Sequence, residues 1–179
     1  MRKIIAFTGT KGSGKDTAAA ILCKHYKDAR QIAFADPIKK FIMKLFDLPT
    51  TMDYDVFKRS TINYNFIRVT SGRHVVREIG MLMRNYDVDQ FTRYVAGEFA
   101  KYPQATFAVT DLRFDNELIM LKEQGAVVVE IANPNVPRGT DNHVTELGFA
   151  SEFVDHVIYN DSTVEVFEQR LIELYKQIL

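Results

Sequence analysis

The sequence contains a single cysteine, so no disulfide can form within the chain. That residue, Cys23, follows Ile21 and Leu22 in a predicted helix, and we interpret it as a packing residue rather than a nucleophile. No apolar run approaches the roughly 20 residues that a membrane-spanning helix requires, and no signal peptide precedes the first predicted strand. These absences predict a cytoplasmic protein without a membrane partner.

The sequence also lacks an excess of charge of either sign: 23 basic and 23 acidic residues give a formal net charge of zero. Proteins that bind nucleic-acid polymers or anionic membranes carry a basic excess, so we expect neither partner. A small anionic substrate remains compatible, because basic side chains can cluster locally. The 179 residues contain no repeat, low-complexity tract or linker, which predicts one domain, 1–179, with a small inserted lobe.

A glycine-rich segment, residues 9–17, dominates the sequence. It reads Gly-Thr-Lys-Gly-Ser-Gly-Lys-Asp-Thr and lies between an apolar run at 3–8, predicted as a strand, and residues 16–27, predicted as a helix. Strand, glycine turn and helix in this order predict a phosphate-binding loop. Its backbone N–H groups, the helix N-terminus and the charge of Lys15 would face a nucleotide's phosphates. The alternative is a glycine turn that only joins a strand to a helix.

The end of this segment predicts a magnesium ligand. The residue after Lys15 is Asp16 rather than Ser or Thr, and the hydroxyl comes one position later, at Thr17. We therefore predict that Thr17 binds Mg²⁺. The residues predicted to bind the nucleotide in this loop are Gly12, Ser13, Gly14, Lys15, Asp16 and Thr17.

Five apolar segments that alternate with helical patterns predict the fold. The segments are 3–8, 31–35, 106–110, 126–131 and 156–159, and the intervening helices are expected at 16–27, 37–46, 71–86, 87–102 and 114–124, with a last helix capped at 162–165. A run nearly continuous in Val and Ile, such as 126–131, is typical of a strand covered on both faces. The alternation predicts an α/β three-layer architecture with a five-stranded, mainly parallel sheet and helices on both faces.

An acidic residue, Asp111, directly follows the strand predicted at 106–110. An acid at the carboxyl end of such a strand points at the ligand crevice, so we predict Asp111 as a second magnesium ligand. Arg113, two residues further on, could reach a phosphate. Glu117 in the same segment could instead be an ordinary first-turn acid that stabilises its helix.

The inserted lobe is predicted at residues 37–102. Its segment 48–70 has weak periodicity, and a structureless loop of that length is unusual unless it is functional. The predicted helix at 71–86 carries three arginines that could bind a second phosphorylated molecule, because guanidinium matches phosphate bidentately; they are Arg73, Arg77 and Arg84. A solvated helix face is the alternative. Asp36, just before this lobe, is either a helix N-cap or a substrate ligand.

A polar loop at residues 133–146 is predicted to be a lid, because it leaves the carboxyl end of strand 126–131 at the edge that carries the phosphate loop. It contains Arg138, which could reach a phosphate. His143 with Asp141 and Glu146 could suggest a metal site, but these residues share one loop and lack a second ligand cluster. A polar network that orders the lid is the interpretation we favour.

These pieces predict phosphoryl transfer. That chemistry needs an in-line arrangement and positive charge on the migrating group rather than covalent help from the protein. Lys15, the predicted Mg²⁺ and the arginines would supply the charge. A lobe and a lid suit two phosphorylated substrates, and their closure would exclude water.

Five motifs extend over nearly the whole chain: Gly-Ser-Gly-Lys-Asp-Thr at 12–17, Phe-Ala-Asp-Pro at 34–37 with Lys39, Ser-Gly-Arg at 71–73 followed by Gly80, Thr-Asp-Leu-Arg-Phe at 110–114 with Asn116 and Glu117, and His143 with Glu146. In this order they resemble the phage-type deoxynucleoside monophosphate kinases. The resemblance implies a P-loop NTPase fold of the NMP-kinase-like type, ATP as donor, Mg²⁺, and a (deoxy)nucleoside monophosphate as acceptor. The product would be the diphosphate, which supplies dNTP synthesis, in the host cytoplasm if the chain is phage-encoded.

The resemblance also implies roles for individual residues. Asn160 would lie near the donor's adenine, and Arg138 would contact the transferring phosphate from the lid. By the same resemblance Asp36, Arg73, Arg84 and Arg113 would face the acceptor. The full set of residues predicted to bind the acceptor also includes Lys39, Arg77 and Glu117, although the family would have an uncharged residue in place of Arg77. The residues predicted to be catalytic are Lys15, Asp111, Arg113 and Arg138.

Two other functions remain open at this point. The chain could be a kinase of another small phosphorylated metabolite, of the phosphomevalonate or dephospho-coenzyme A type. It could also be a regulatory module that binds ATP without transferring phosphate, although the arginine-rich acceptor side argues against a module. A homodimer is left open as a partner.

Overall fold

The structure is a computed structural model that describes residues 2–45, 47, 56–57, 61–64, 67–136 and 151–179. Its main element is a five-stranded parallel sheet. The strands in chain order are β1 Lys3–Thr8, β2 Ala29–Ile32, β3 Thr61–Tyr64, β4 Ile67–Ser71, β5 Thr106–Val109, β6 Val127–Ala132 and β7 His156–Tyr159. The helices are α1 Lys15–His25, α2 Asp36–Leu45, α3 Gly72–Tyr86, α4 Gln90–Lys101, α5 Asp115–Glu123 and α6 Val164–Ile178, with a 3₁₀ turn at Ser151–Phe153.

The main sheet has the strand order β2-β5-β1-β6-β7, and every one of its pairings is parallel. Strand β1 is central, with Ile5 opposite Ala108 of β5 and Val127 of β6. This position explains its unbroken apolar sequence, because a central parallel strand is buried on both faces. The predicted α/β architecture with a five-stranded parallel sheet is confirmed.

The chain divides into two compact units. One comprises Met1–Phe34 and Val95–Leu179 and contains the five-stranded sheet; the other comprises Ala35–Tyr94 and contains α2, the β3–β4 hairpin and α3. The acceptor-binding role predicted for residues 37–102 stays a prediction. Among the helices of the described ranges, none combines the length and apolar character needed to span a bilayer.

In the sheet unit, α1 and α6 pack together against the strands. Ala18 and Ala19 of α1 are completely buried, and their small side chains allow α6 to approach closely. The buried hydroxyl of Tyr175 on α6 donates to the carbonyl oxygen of Ala18 at 2.8 Å, and burial raises the pKa of this hydroxyl above its usual range. The contact with the C-terminal helix α6 therefore holds α1 in place.

Several predicted boundaries are wrong, and the contacts explain three of them. Strand β2 spans Ala29–Ile32 rather than 31–35, because the Phe34 amide donates to the Asp111 carboxylate and the Ala35 carbonyl accepts the first bond of α2. Helix α4 begins at Gln90 rather than 87, where the Asp87 carboxylate instead accepts from the amide of Asp89. The cap of α6 is Thr163, whose hydroxyl accepts from the Val166 amide at 3.4 Å, one residue later than the box predicted at 162–165.

The segment predicted as an irregular part of the lobe contains an antiparallel hairpin. Strands β3 and β4 pair with Thr61 opposite Ser71 and Ile62 opposite Thr70. The Ser71 hydroxyl then caps α3 by accepting from the His74 amide at 3.3 Å. The hairpin thus leads directly into the helix that carries the three predicted phosphate-binding arginines.

Candidate functional site

The loop between β1 and α1 has a backbone that favours glycine at three positions. Gly9, Gly12 and Gly14 have φ angles of +129°, +79° and +112°, a region that L side chains rarely adopt. A Cβ atom on Gly9 would lie 2.4 Å from the backbone oxygen of Ile131, on the neighbouring strand β6. Within the loop, the Ser13 amide donates to the Thr10 carbonyl at 3.2 Å. The loop is therefore tightly wound and seated directly on the end of β6.

Lys15 holds its charge at this loop. Its Nζ donates to the carbonyl oxygens of Gly9 and Thr10, each at 2.7 Å. Helix α1 begins at Lys15, and its N-cap, Gly14, offers no side-chain acceptor to the first-turn amides. The ammonium charge and the positive end of the helix dipole thus coincide, which is the electrostatic requirement of an anion site.

Ser13 lies beneath the loop with no exposed surface. Its hydroxyl has no hydrogen-bond partner among the described residues, which is uncommon for a buried polar atom. Its carbonyl oxygen accepts from Nδ2 of Asn160 at 2.8 Å. Ser13 therefore gives the loop a buried hydroxyl without a hydrogen-bond partner among the described residues, and a carbonyl oxygen that is bonded to Asn160.

Asp16 and Thr17 occupy the first turn of α1 and are exposed. The Asp16 carboxylate accepts from Nε2 of Gln31, on strand β2, at 3.3 Å. Asp16 therefore packs alongside the sheet edge, and the exposed Thr17 is accessible to a ligand from solution.

Asp111 lies beyond β5, the strand adjacent to β1, so it shares the carboxyl end of the sheet with the glycine loop. It is half-buried, and its Oδ1 accepts from the backbone amide of Phe34 at 2.7 Å. This bond explains why the chain leaves β2 before Phe34. It also fixes the carboxylate at the position where sequence reasoning expected a magnesium ligand.

Glu117 is buried, with only 1% of its surface exposed, and acts on its own helix. Its Oε2 accepts from the backbone amides of Arg113 and Phe114 at 3.0 and 3.2 Å, which caps the start of α5 from the Glu117 side chain. This geometry supports the alternative of a helix-stabilising acid; substrate binding by Glu117 stays a prediction. Because the Arg113 contact uses the backbone, the cap does not depend on the arginine side chain.

The predicted acceptor residues of the second unit lie on α2 and α3. The Asp36 carboxylate accepts from Nζ of Lys39 at 2.9 Å, and α2 begins at Asp36 itself rather than after it. On α3, Arg77 contacts Nδ1 of His74 at 3.3 Å through its Nη2. Arg73 is half-buried on the same helix.

Arg84 is held in a more defined environment. Its guanidinium carbon lies 4.5 Å from the ring centroid of buried Phe91, and its Nη1 donates to the Gly80 carbonyl at 3.4 Å. Such a stack restricts the orientation of the guanidinium plane. Sequence reasoning missed Phe91 because a buried aromatic on a helix is most simply explained as core.

The structure groups the loop residues 12–17, Asp111, Arg113 and Asn160 in the sheet unit, and Asp36, Lys39, Arg73, Arg77 and Arg84 in the other unit. Arg138 and most of the predicted lid, including Asp141, His143 and Glu146, lie outside the described residues. Their predicted roles stay predictions.

The residues of the sheet unit fit a nucleotide and Mg²⁺. The loop combines the Lys15 ammonium group with the N-terminus of α1, and the buried Ser13 hydroxyl has no partner among the described residues. Within the described ranges no group of three or more His, Cys, Asp or Glu side chains could hold a metal ion. Mg²⁺ in nucleotide enzymes is bound by one or two protein oxygens together with substrate phosphates, so Thr17 and Asp111 suffice chemically.

Comparison with known proteins agrees with this site. A family model described as deoxynucleotide monophosphate kinase matches residues 3–98 and 70–171. A curated protein of Acanthamoeba polyphaga mimivirus, named "Putative deoxynucleotide monophosphate kinase", is 27% identical over 183 residues, covering 94% of each chain. A solved structure, the dephospho-CoA kinase from Campylobacter jejuni, superposes with a TM-score of 0.55 and 16% identity over 99% of this chain and 98% of its own.

The structural match, at low identity, shows that the chain shares the fold of that kinase. The family model covers nearly the whole chain, from the strand before the glycine loop to the C-terminal helix. The chain is therefore a nucleotide kinase, and it belongs to the deoxynucleotide monophosphate kinase family.

Proposed function

We propose that this protein transfers the γ-phosphate of ATP to a deoxynucleoside monophosphate, giving ADP and the deoxynucleoside diphosphate for dNTP synthesis. The observation that carries the proposal is the glycine loop with the Lys15 ammonium group held 2.7 Å from two of its carbonyl oxygens. This arrangement supports a triphosphate donor. Family membership supports the acceptor class.

The donor would be bound by the loop. The backbone N–H groups of Gly12 and Gly14 would donate to the phosphate oxygens while the Ser13 N–H stays bonded to the Thr10 carbonyl, and Lys15 would exchange its loop carbonyls for phosphate oxygens. Asp16 and Thr17 would flank the phosphates on the first turn of α1. The structural support is the seating of the loop on β6, which keeps it wound before the donor arrives.

Thr17 and Asp111 would hold Mg²⁺, with Asp111 acting directly or through a water molecule. When bound, the ion neutralises charge on the β- and γ-phosphates. The Phe34 amide, 2.7 Å from Asp111 Oδ1, supports this role because it fixes the carboxylate in one orientation.

Within the unit formed by Ala35–Tyr94, the acceptor phosphate would be bound by Arg73, Arg77 and Arg84, with Asp36 and Lys39 in the remaining acceptor contacts. The stack of Arg84 on Phe91 supports a fixed, bidentate phosphate contact. Arg113 and the lid residue Arg138 would balance negative charge on the migrating phosphoryl group. The protein supplies alignment and positive charge, and lid closure would exclude water that would otherwise hydrolyse ATP.

An acceptor-dependent assay of ADP release tests this proposal. The panel contains the four dNMPs, the four NMPs, dephospho-coenzyme A and phosphomevalonate, each with ATP and Mg²⁺. Turnover with one or more dNMPs is the expected result. Turnover with dephospho-coenzyme A or phosphomevalonate alone, or ATP binding without any acceptor-dependent ADP release, would reject it.

Turnover of two lysine variants in the same assay tests whether the glycine loop is the donor site. Lys15→Ala is expected to lower turnover by about 10³-fold or more, because it removes charge from the transferring phosphate. Lys27→Ala removes the same charge from an exposed position beyond the C-terminus of α1 and should retain full turnover. Equal turnover of the two variants would place the chemistry elsewhere.

A further inference from the structure

Asn160 connects the end of β7 to the glycine loop. Its backbone amide donates to the carbonyl of Ala132, at the end of β6, at 2.8 Å, and this bond anchors the residue to the sheet. Its side-chain Nδ2 donates to the carbonyl oxygen of Ser13, also at 2.8 Å. A single residue thus ties the middle of the loop to the two strands on one side of the sheet.

The contact fixes the direction of one loop N–H group. The peptide bond between Ser13 and Gly14 is trans, so its carbonyl oxygen and its N–H point to opposite sides. With the carbonyl held by Asn160, the Gly14 N–H must point away from Asn160. The Ser13 N–H is bonded to Thr10 at 3.2 Å, so the preceding peptide is fixed as well.

The glycine at position 14 makes room for this contact. A Cβ there would lie 2.6 Å from Nδ2 of Asn160, closer than real Cβ contacts occur. Any side chain at position 14 would displace the carboxamide from the Ser13 carbonyl. Gly14 and Asn160 are therefore complementary parts of one arrangement, although they are far apart in the sequence.

We propose that Asn160 is a positioning residue of the donor site: its carboxamide holds the Ser13 carbonyl and thereby aims the Gly14 N–H at the donor's phosphates. The inference rests on the proposed function and differs from the adenine contact that the family resemblance implies for Asn160. Asn160 acts through the loop backbone, which would contact only the phosphates. Its contribution to affinity should therefore be the same for any ligand with that phosphate chain, whether or not the ligand carries a base.

Binding of two probes to the full-length protein separates these roles. Calorimetric titrations with ATP and with inorganic tripolyphosphate, both with Mg²⁺, are made on the unmodified chain, Asn160→Asp and Asn160→Ala. A hydrogen bond to a charged group contributes enough that misdirecting the Gly14 N–H should weaken binding about tenfold or more. We expect the same factor for ATP and tripolyphosphate, with the Kd of the acceptor dNMP unchanged.

Two controls separate positioning from general damage. Gln104→Glu adds the same charge as Asn160→Asp at an exposed position before β5 and should leave all three affinities unchanged. If Asn160→Asp fails to fold, Asn160→Ala decides, because it keeps the backbone bond to Ala132 and adds no charge. The folded fraction of each variant is measured alongside the titrations, and each Kd is corrected for it.

Weakened ATP binding with unchanged tripolyphosphate binding would overturn the inference and favour an adenine contact. Unchanged binding of both probes would also overturn it, while the proposed function would stand. If the unmodified chain binds neither probe, the proposed function itself fails and the inference fails with it.

Discussion

The guanidinium carbon of Arg84 lies 4.5 Å from the ring centroid of Phe91, both within the unit formed by Ala35–Tyr94. The ring is buried, so it provides a rigid surface against which the guanidinium packs. In the proposed function, Phe91 would therefore act through Arg84 rather than on the acceptor itself.

We predict that Phe91→Leu raises the KM for the acceptor dNMP and leaves the KM for ATP unchanged. A cation–π contact is worth about 0.5–2 kcal/mol, which corresponds to an increase of about twofold to thirtyfold. Steady-state kinetics with each substrate varied in turn measures the two constants.

The matched control for this prediction is Phe99→Leu. Phe99 is also buried and also faces a guanidinium, that of Arg2 at 5.1 Å from the ring centroid, but it belongs to the sheet unit. Both variants should lose stability, because leucine leaves part of the buried volume of the phenylalanine ring unfilled. If Phe99→Leu raises the acceptor KM as much as Phe91→Leu, the stack on Arg84 has no specific role.

Arg113→Ala is predicted to lower kcat by about 10³- to 10⁵-fold, because it removes charge that balances the migrating phosphoryl group. The cap of α5 should survive, since Glu117 accepts from the backbone amide of Arg113 rather than from its side chain. Chemical denaturation alongside kinetics checks both parts. A variant that loses stability but retains its turnover per folded molecule would contradict the assignment.

Gly9→Ala is predicted to destabilise the fold and abolish tight ATP binding. Its φ of +129° disfavours any side chain, and the new Cβ would lie 2.4 Å from the backbone oxygen of Ile131. We expect a loss of about 2 kcal/mol or more in the free energy of unfolding. Gly125→Ala, with a φ of +77° but open space around it, should lose only about 1 kcal/mol. If urea unfolding shows the same loss of free energy of unfolding for Gly9→Ala and Gly125→Ala, the structure relieves the contact between the new Cβ and β6, and the prediction is wrong.

Asp155→Asn is predicted to lower stability at pH 7 by more than at pH 3. Burial raises the pKa of the Asp155 carboxyl, but hydrogen bonds from Lys122 Nζ at 2.5 Å and the Val128 amide at 2.7 Å outweigh burial and hold the pKa below its ordinary 3.8. A lowered folded-state pKa gives stability that is complete above the ordinary value and disappears as the pH falls through the lowered one. Urea unfolding of both proteins at several pH values from 7 to 2.5 measures the difference. A difference independent of pH would contradict the prediction.

The parallel sheet and the glycine loop between β1 and α1 could be predicted because their signals are local. Val- and Ile-rich runs identify buried strands, and glycine with Lys15 after such a run identifies the loop. The place of Asp111 followed from the rule that ligands bind at the carboxyl ends of parallel strands. None of these inferences needed the three-dimensional contacts of a particular side chain.

The remaining features depend on partners distant in the sequence. The early end of β2 is set by Phe34 bonding to Asp111, and Asn160 contacts Ser13, neither of which a local pattern predicts. The β3–β4 hairpin was missed although Thr61–Ser71 is rich in β-branched and aromatic residues, a strand signal that the interpretation as an irregular lobe overlooked. Glu117 shows the reverse case, because its capping role was among the sequence-based alternatives.

The order of the strands has a consequence for synthesis of the chain. Strand β1, which leads into the phosphate loop, pairs with β5 and β6, and these begin only at Thr106 and Val127. During synthesis, β1 cannot form its ladder hydrogen bonds until β5 and β6 have left the ribosome, and such non-local pairing slows folding. Asn160, which completes the loop, emerges later still. The glycine loop that we propose as the donor site is therefore translated first and assembled last, so a nascent chain should not acquire donor affinity until nearly all of it has left the ribosome.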